Sequence, residues 1–133
     1  MYPKTMRINE LDTIEGLHGA LVESNHRPVL LFKHSLTCPI STRALHELQS
    51  YLEHADSRIS YKLITVQTAR AVSDEAAIRL RIIHQSPQAI LVRNGNEVWS
   101  ASHSDITASA LDLAIGHAIA SNEQSQTEVL PAP

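Results

Sequence analysis

The chain has 133 residues, of which 43% are hydrophobic and 19% are charged, as is typical of one compact globular domain. Its 11 Lys and Arg residues against 14 Asp and Glu residues give a net charge of −3, so a basic surface for nucleic acid is not expected. The apolar runs are far shorter than the roughly 20 residues of a membrane helix, and the polar start lacks a signal-peptide core, which predicts a cytoplasmic protein without membrane partners.

The chain begins with a predicted helix that is followed by a predicted strand. Apolar residues three and four positions apart indicate a helix over residues 10–24, with Asn9 as its cap and Asp12 in its first turn. The continuous apolar run at residues 29–33 is typical of a strand that is covered on both faces of a parallel sheet. This strand is expected to be the first of the core.

A second helix and a second strand follow. Pro39 suits the first position of a helix, and the apolar face of that helix extends to about residue 54. The β-branched and aromatic residues at 59–66 predict a second parallel strand. Cys38 therefore lies at the turn between the first strand and the second helix.

The pattern then predicts a third helix and a hairpin. Ser73, which is followed by two acidic residues, is expected to begin a helix that runs to the breaker Ser86-Pro87. Strands at residues 88–93 and 96–101 flank Asn94-Gly95, a dipeptide that favours a tight turn because both of its residues tolerate positive φ. These two strands are expected to pair antiparallel.

The last helix is predicted to begin at Asp105 and to lose its periodicity at about residue 121. We therefore expect one domain over residues 1–120 and a C-terminal tail without fixed structure over residues 121–133. The order of elements predicts an α/β fold of the thioredoxin-like kind. Its three layers would comprise a central mixed sheet of about four strands flanked by helices.

Cys38 is the only cysteine, which excludes an internal disulfide and a zinc site made of several thiolates. At the start of a helix its sulfur would lie near unpaired backbone N–H groups and the positive end of the helix dipole, which favour the reactive thiolate. The alternative is a small, buried and unreactive cysteine. Small or polar neighbours, Thr37, Pro39 and Ser41, favour the reactive interpretation.

The segment Cys38-Pro39-Ile40-Ser41 has the spacing of a Cys-x-x-Cys redox site in which Ser41 replaces the second cysteine. A serine cannot resolve a mixed disulfide, so Cys38 must accept an adduct and pass it to another thiol. Ser41 either donates a hydrogen bond to the thiolate or is an ordinary residue of the first helical turn.

Two further candidates lie near the predicted strand ends. A cis peptide bond at Ser86-Pro87 would expose the Ser86 backbone, which could then pair with an extended substrate beside the sulfur. His34 lies between the first strand and Cys38 and either helps to stabilise the thiolate, binds an acidic group, or packs at the strand end. The eight histidines form no His-x-x-x-His pair, so no metal site is predicted.

Residues 32–41, together with Ser86-Pro87-Gln88, resemble the monothiol bacilliredoxins, thioredoxin-like proteins with a Thr-Cys-Pro-Ile-Ser motif. The resemblance implies that Cys38 is the nucleophile and that Pro87 is the cis proline beside it. It also implies that the substrate is a client-protein cysteine capped by bacillithiol, a low-molecular-weight thiol that carries glucosamine and malate. No bound cofactor is needed, since the low-molecular-weight thiol is a co-substrate. The expected substrate-binding residues are Thr37, Pro39, Ile40, Ser41, Ser86, Pro87 and His34.

Three histidines, His34, His84 and His103, are candidates to line a recess for the malate carboxylates. Leu36 departs from the small or polar residue that would best expose the loop. Two other functions stay open. Ser35 stands three residues before Cys38, as the hydroxyl residue does in thiol peroxidases, but no Arg stands in the motif. A non-catalytic adaptor is the second alternative, and glutathione or coenzyme A could replace bacillithiol as the thiol.

Overall fold

The computed structural model describes residues 8–128, with side chains as far as Glu123. Five strands form one sheet: β1 (Asn9–Glu10), β2 (Val29–His34), β3 (Ser60–Thr65), β4 (Gln88–Arg93) and β5 (Asn96–Ser102). Four helices accompany it: α1 (Ile14–Glu23), α2 (Pro39–Leu52), α3 (Arg70–Leu80) and α4 (Ala108–Glu128). A short 3-10 turn at His103–Asp105 connects β5 to α4.

The strands lie in the order β1-β3-β2-β4-β5, so β2 is central. β3 pairs parallel with both β1 and β2, whereas β4 pairs antiparallel with β2 and with β5. The Asn94-Gly95 turn has the positive φ angles that the sequence predicted, 55° and 73°. The α/β class with a mixed sheet is confirmed, but the sheet has five strands instead of about four.

Helices cover both faces of the sheet, and the alternating side chains of β2 divide the core into two clusters. Leu30 and Phe32 pack with α2 and α4 on one face. Leu31 packs with α1 and α3 on the other. Within residues 8–128, no helix combines the length and the apolar character needed to cross a membrane.

The first helix begins later than predicted. Thr13 is its cap, since its Oγ1 accepts a hydrogen bond from the N–H of Gly16 at 3.0 Å. The expected roles of Asn9 as cap and Asp12 in the first turn are wrong. Asn9 instead belongs to β1, whose two residues pair with β3.

The third helix begins and ends earlier than predicted. It starts at Arg70, three residues before the expected Ser73, and its N-cap Ala69 makes no side-chain hydrogen bond. Ser73 is thus a buried residue within the helix. The helix ends at Leu80 because Arg81 adopts a left-handed conformation, with φ 56° and ψ 45°. Residues 81–87 therefore form a loop, not helical turns, before β4.

The last helix begins at Ala108 instead of Asp105, which lies in the 3-10 turn. It continues to Glu128, into the segment that we expected to lack fixed structure from residue 121. Two contacts hold this part of the helix to the sheet side of the molecule and to the loop before β3: Asn122 Oδ1 accepts from Arg93 Nε at 2.6 Å, and Glu123 forms an ion pair with Arg58. The remainder of the expected tail, residues 129–133, lies outside the described residues.

Candidate functional site

Cys38 lies where the central strand passes into α2, as predicted. It is the N-cap of this 14-residue helix, with φ −106° and ψ 119°, and Pro39 occupies the first turn. Its carbonyl accepts hydrogen bonds from the N–H groups of Ser41 at 3.0 Å and Thr42 at 3.2 Å. The cysteine is half-buried. Its position at a helix N-terminus brings it to the end where the helix dipole favours an anion.

Ser41 is fully buried one turn further along α2 and fastens the loop that carries the cysteine. Its Oγ accepts from the Ser35 N–H at 2.8 Å and lies 2.8 Å from His34 Nδ1. Burial lowers the pKa of His34, which favours the neutral ring. The Ser41 hydroxyl thus joins the end of β2 to the loop before Cys38.

His34 is buried at the end of β2, where its ring stacks on Phe32 with the ring centroids 6.4 Å apart. Of the three roles that the sequence left open, packing at the strand end is the one that these contacts support. The hydrogen bond to Ser41 adds a second role, because it links the strand end to the first turn of α2.

Gln67 was missed by the sequence analysis. Its Oε1 accepts from the Leu36 N–H at 3.0 Å, and its Nε2 donates to Ser35 Oγ at 2.8 Å and lies 3.4 Å from Thr37 Oγ1. Gln67 thus holds three consecutive residues before Cys38. Its position just after β3 was the available signal, since the carboxyl ends of parallel neighbouring strands meet at one edge of the sheet.

The Ser86-Pro87 peptide bond is cis. Gln88 pairs with Lys33 in antiparallel register, which places Pro87 at the end of β2 from which the chain continues to Cys38. The Pro87 carbonyl accepts from the His103 N–H at 3.1 Å. The residues predicted to bind substrate therefore form two segments, one before β4 and one at the β2–α2 turn, and both reach the same edge of the sheet.

Lys33 forms a buried polar cluster on the opposite face of β2. Its Nζ is fully buried and donates to the Ser73 carbonyl at 2.9 Å and to His84 Nδ1 at 3.1 Å. Burial lowers the pKa of Lys33 to about 8, although the charge of Asp74 acts in the opposite direction. His84 belongs to the loop before cis-Pro87, so its contact with Lys33 holds that loop on the face of the sheet opposite Cys38.

A sequence profile described as monothiol bacilliredoxin BrxC matches residues 9–111, most of the chain and all of the elements that build this site. The chain belongs to the monothiol bacilliredoxin family. The resemblance of residues 32–41 to that family is thereby confirmed, and the bacilliredoxin is a thiol redox protein with one cysteine.

Solved structures agree with the thioredoxin-like fold of this bacilliredoxin. A proposed oxidoreductase with a thioredoxin fold is 32% identical over 84% of this chain and 96% of its own, with a TM-score of 0.74. Thioredoxin from Fasciola hepatica is 13% identical over 84% of this chain and 99% of its own, with a TM-score of 0.68. A mutant thioredoxin from Halobacterium salinarum is also 13% identical, over 89% and 95%, with a TM-score of 0.66.

The three histidines expected to line one recess in the bacilliredoxin do not come together. His34 faces α2, whereas His84 contacts Lys33 on the other face of the sheet, where burial and then the Lys33 charge lower its pKa. His103 is exposed in the turn before α4. Among the side chains described as far as Glu123, no three His, Cys, Asp or Glu residues form a group that could hold a metal ion.

Two residues close to Cys38 in the chain expose large apolar side chains. Leu36 is 59% exposed and Ile40 is 46% exposed, one on each side of the cysteine. Ile83, in the loop before the cis proline, is 80% exposed. The large side chain at position 36 therefore leaves the loop accessible and adds an apolar contact point.

Proposed function

We propose that this bacilliredoxin removes a low-molecular-weight thiol from mixed disulfides of client proteins, with bacillithiol as the preferred thiol. The observation that carries the proposal is the replacement of a second cysteine by Ser41, whose hydroxyl is buried and already bonded within the protein. Cys38 must therefore exchange disulfides alone, because the chain holds no second thiol.

The reaction is a pair of exchanges at one sulfur. The Cys38 thiolate attacks the bacillithiol sulfur of the mixed disulfide, and the client cysteine leaves as a thiolate that takes up a proton. A free bacillithiol thiolate then attacks the bacillithiol sulfur bound to Cys38, which releases bacillithiol disulfide and restores the Cys38 thiolate. The client cysteine is reduced, the one free bacillithiol is oxidised, the bacillithiol of the cap stays at the disulfide level, and the protein is unchanged.

The exposed apolar side chains support a protein as the larger partner. Leu36 and Ile40 flank the sulfur, and contact of these side chains with an apolar client segment would remove their surface from water. The backbone of Ser86, next to the cis proline, is the proposed pairing partner of an extended client segment. Bacillithiol would then lie between Cys38 and the client.

The test is intact-mass spectrometry of both chains after the reduced protein meets a client that carries one bacillithiol. We expect the client to lose the mass of the cap while a single equal adduct appears on the bacilliredoxin and disappears with excess bacillithiol. Cys38→Ser is the matched control and should leave the client unchanged. A second client that carries glutathione, at the same concentration, measures the preference between the two thiols.

Three results would contradict the proposal. Equal rates for the two capped clients would reject bacillithiol as the preferred thiol. Rapid Cys38-dependent consumption of hydrogen peroxide with no transfer from either client would favour the peroxidase alternative. A Cys38 that forms no adduct and also resists alkylation in the folded protein would favour the adaptor.

A further inference from the structure

A cavity of about 350 Å³ lies at the end of the molecule opposite Cys38. Because Val92 pairs with Val29, this part of β4 lies where β2 begins, whereas Cys38 follows the end of β2. The cavity is therefore separate from the thiol site. It lies between the β4–β5 hairpin and α4, and its lining includes Leu91, Arg93, Trp99, Ala114, Ala118 and Asn122.

One wall of the cavity is apolar. Leu91 is buried and Trp99 is half-buried on neighbouring strands, where they are paired in the antiparallel register. α4 faces them with the small side chains of Ala114 and Ala118, which leave the space open between helix and sheet. A flat apolar group fits such a space, since ligand pockets of about 300–1,000 Å³ are built mainly from apolar and aromatic walls.

The other wall holds a cation, Arg93, whose charge meets no carboxylate among the described lining residues. Arg93 Nε donates to Asn122 Oδ1 at 2.6 Å, and its Nη1 donates to the Ser24 carbonyl and to Asn94 Oδ1, both at 2.8 Å. All three acceptors are uncharged. The described lining of the cavity contains no Asp or Glu. The two N–H donors on Nη2 are the part of the guanidinium that these bonds do not use.

We propose that this cavity is a second binding site, for a small organic anion with a flat apolar body. The apolar body lies against Trp99, and the anionic group takes the Nη2 donors of Arg93. The three bonds to Asn122, Ser24 and Asn94 hold the guanidinium in place before the ligand arrives, so little side-chain entropy is lost on binding. A charge-assisted bond in a partly buried site is stronger than one on open surface.

The test uses Trp99, the single tryptophan, as a reporter. The probes are 8-anilinonaphthalene-1-sulfonate, which is anionic, and N-phenyl-1-naphthylamine, which has the same aromatic body without the charge. We expect both to quench Trp99 fluorescence in a saturable, one-to-one manner, with the anionic probe bound at least tenfold more tightly. Equal affinity for the two probes, or no saturable binding of the anionic probe, would overturn the proposal.

Variants separate charge from shape. Arg93→Gln should reduce the affinity for the anionic probe about tenfold and leave the neutral probe unaffected, whereas Arg93→Lys should retain most of the preference. Ala118→Leu fills part of the cavity and keeps the Arg93 side chain, so it should weaken the binding of both probes at least tenfold. If Arg93→Gln still prefers the anionic probe, or if Ala118→Leu still binds the probes tightly, the probes bind elsewhere.

Two controls make the result specific. Thermal unfolding of each variant confirms that it is folded, and its Cys38 exchange rate should equal that of the wild type, because the cavity lies at the other end of the sheet. If the anionic probe binds only after residues 129–133 are deleted, the occupant of the cavity is the C-terminal segment of the chain itself, and the proposal is wrong. The site is independent of the proposed thiol exchange, so either can fail without the other.

Discussion

Lys33 and His34 are neighbours on the central strand, yet they enter opposite faces of the sheet and meet very different polar surroundings. His34 contacts a buried hydroxyl that is itself held by a backbone N–H, so this cluster is uncharged and its groups are paired. Lys33 brings a buried amine to the face of the sheet that α1 and α3 cover, where its hydrogen-bond acceptors are a carbonyl of α3 and an imidazole nitrogen. Both clusters hold a segment of the candidate site.

The difference shows two ways in which a buried polar group can fasten a loop. On the His34 face, short bonds among neutral groups stabilise the loop before Cys38 with little desolvation of charge. On the Lys33 face, desolvation dominates and lowers the pKa of Lys33 to about 8, so the charged amine lies there at a cost to stability. The first cluster contributes to the stability of the fold, whereas the second positions the loop before the cis proline.

The largest expected effect is that of Ser41→Ala. It leaves the buried Ser35 N–H and His34 Nδ1 without their shared partner, which should lower the free energy of unfolding by about 2–4 kcal/mol. Ser73→Ala is the matched control on the other face. The Ser73 hydroxyl is also buried, but its one hydrogen bond, to His84 Nδ1, is long at 3.4 Å and therefore weak. It should cost less than about 1 kcal/mol. Denaturant unfolding at pH 7 measures both, and equal losses would contradict the comparison.

Lys33→Met should act in the opposite direction. At pH 7 it removes a charged amine from an apolar cluster and should raise the free energy of unfolding by about 1–3 kcal/mol. At the same time it releases His84, so the amide hydrogens of residues 81–87 should exchange faster than in the wild type. A variant that is less stable than the wild type would show that the amine is a net stabilising group.

The same pair tests the pKa of Lys33. The pKa of Lys33 is about 8 in the folded chain and 10.5 as its usual value. Between these two pH values the folded chain has lost a proton that the unfolded chain still holds. Stability of the wild type should therefore rise over this interval relative to Lys33→Met, by up to about 3 kcal/mol. The measurement is the difference in unfolding free energy between the two proteins at pH 7 and at about pH 10. A constant difference would place the amine in contact with water.

Acid should weaken the His34 cluster. Since burial lowers the pKa of His34 below 6.5, the unfolded chain takes up this proton first as the pH falls, and stability is lost. His34→Asn retains an acceptor near Ser41 but does not titrate, so its stability should fall less between pH 7 and pH 5. The pKa of His84 is lowered as well, so part of the dependence of stability on pH should remain in the variant. Identical slopes would contradict a buried, neutral His34.

Gln67→Ala should have the smallest effect on stability, about 0.5–1 kcal/mol, because Gln67 is exposed and its bonds compete with water. Its clearer consequence is local: the Leu36 amide loses its acceptor and should exchange faster in hydrogen-exchange measurements. Thr68→Ala is the neighbouring control, since the Thr68 hydroxyl contacts only the Thr65 carbonyl, at 3.4 Å. Exchange at Leu36 that is unchanged in Gln67→Ala would show that Gln67 does not hold the loop.

Local signals explain which parts of the fold the sequence could predict. The apolar run of β2, the proline at the start of α2 and the Asn94-Gly95 turn each depend on residues adjacent in the chain, and each was located correctly. The start of α3 has no side-chain cap, so no pattern marks it. The two residues of β1 form a strand only because β3 lies beside them, which periodicity cannot reveal.

The candidate site divides in the same way. Cys38, Pro39 and the cis bond at Pro87 followed from motif and resemblance, and the structure places them at one edge of the sheet. The hydrogen bonds of Gln67 and Lys33 join residues 30 to 51 positions apart, which spacing does not predict. The error over His84 arose because the loop before β4 brings its ring to Lys33, on the face opposite His34, and a contact over 51 positions cannot be read from the neighbouring sequence.

The central place of β2 has a consequence for how the protein opens. Strands at the margins of a sheet fray first and expose their backbone to other chains, and here β1 and β5 are those strands. β2 has a strand on each side and a helical layer on each face, so we expect it to be among the last parts to unfold. Cys38 therefore follows an element that we expect to stay folded while the margins of the sheet open and close, so the proposed exchange would not depend on those strands.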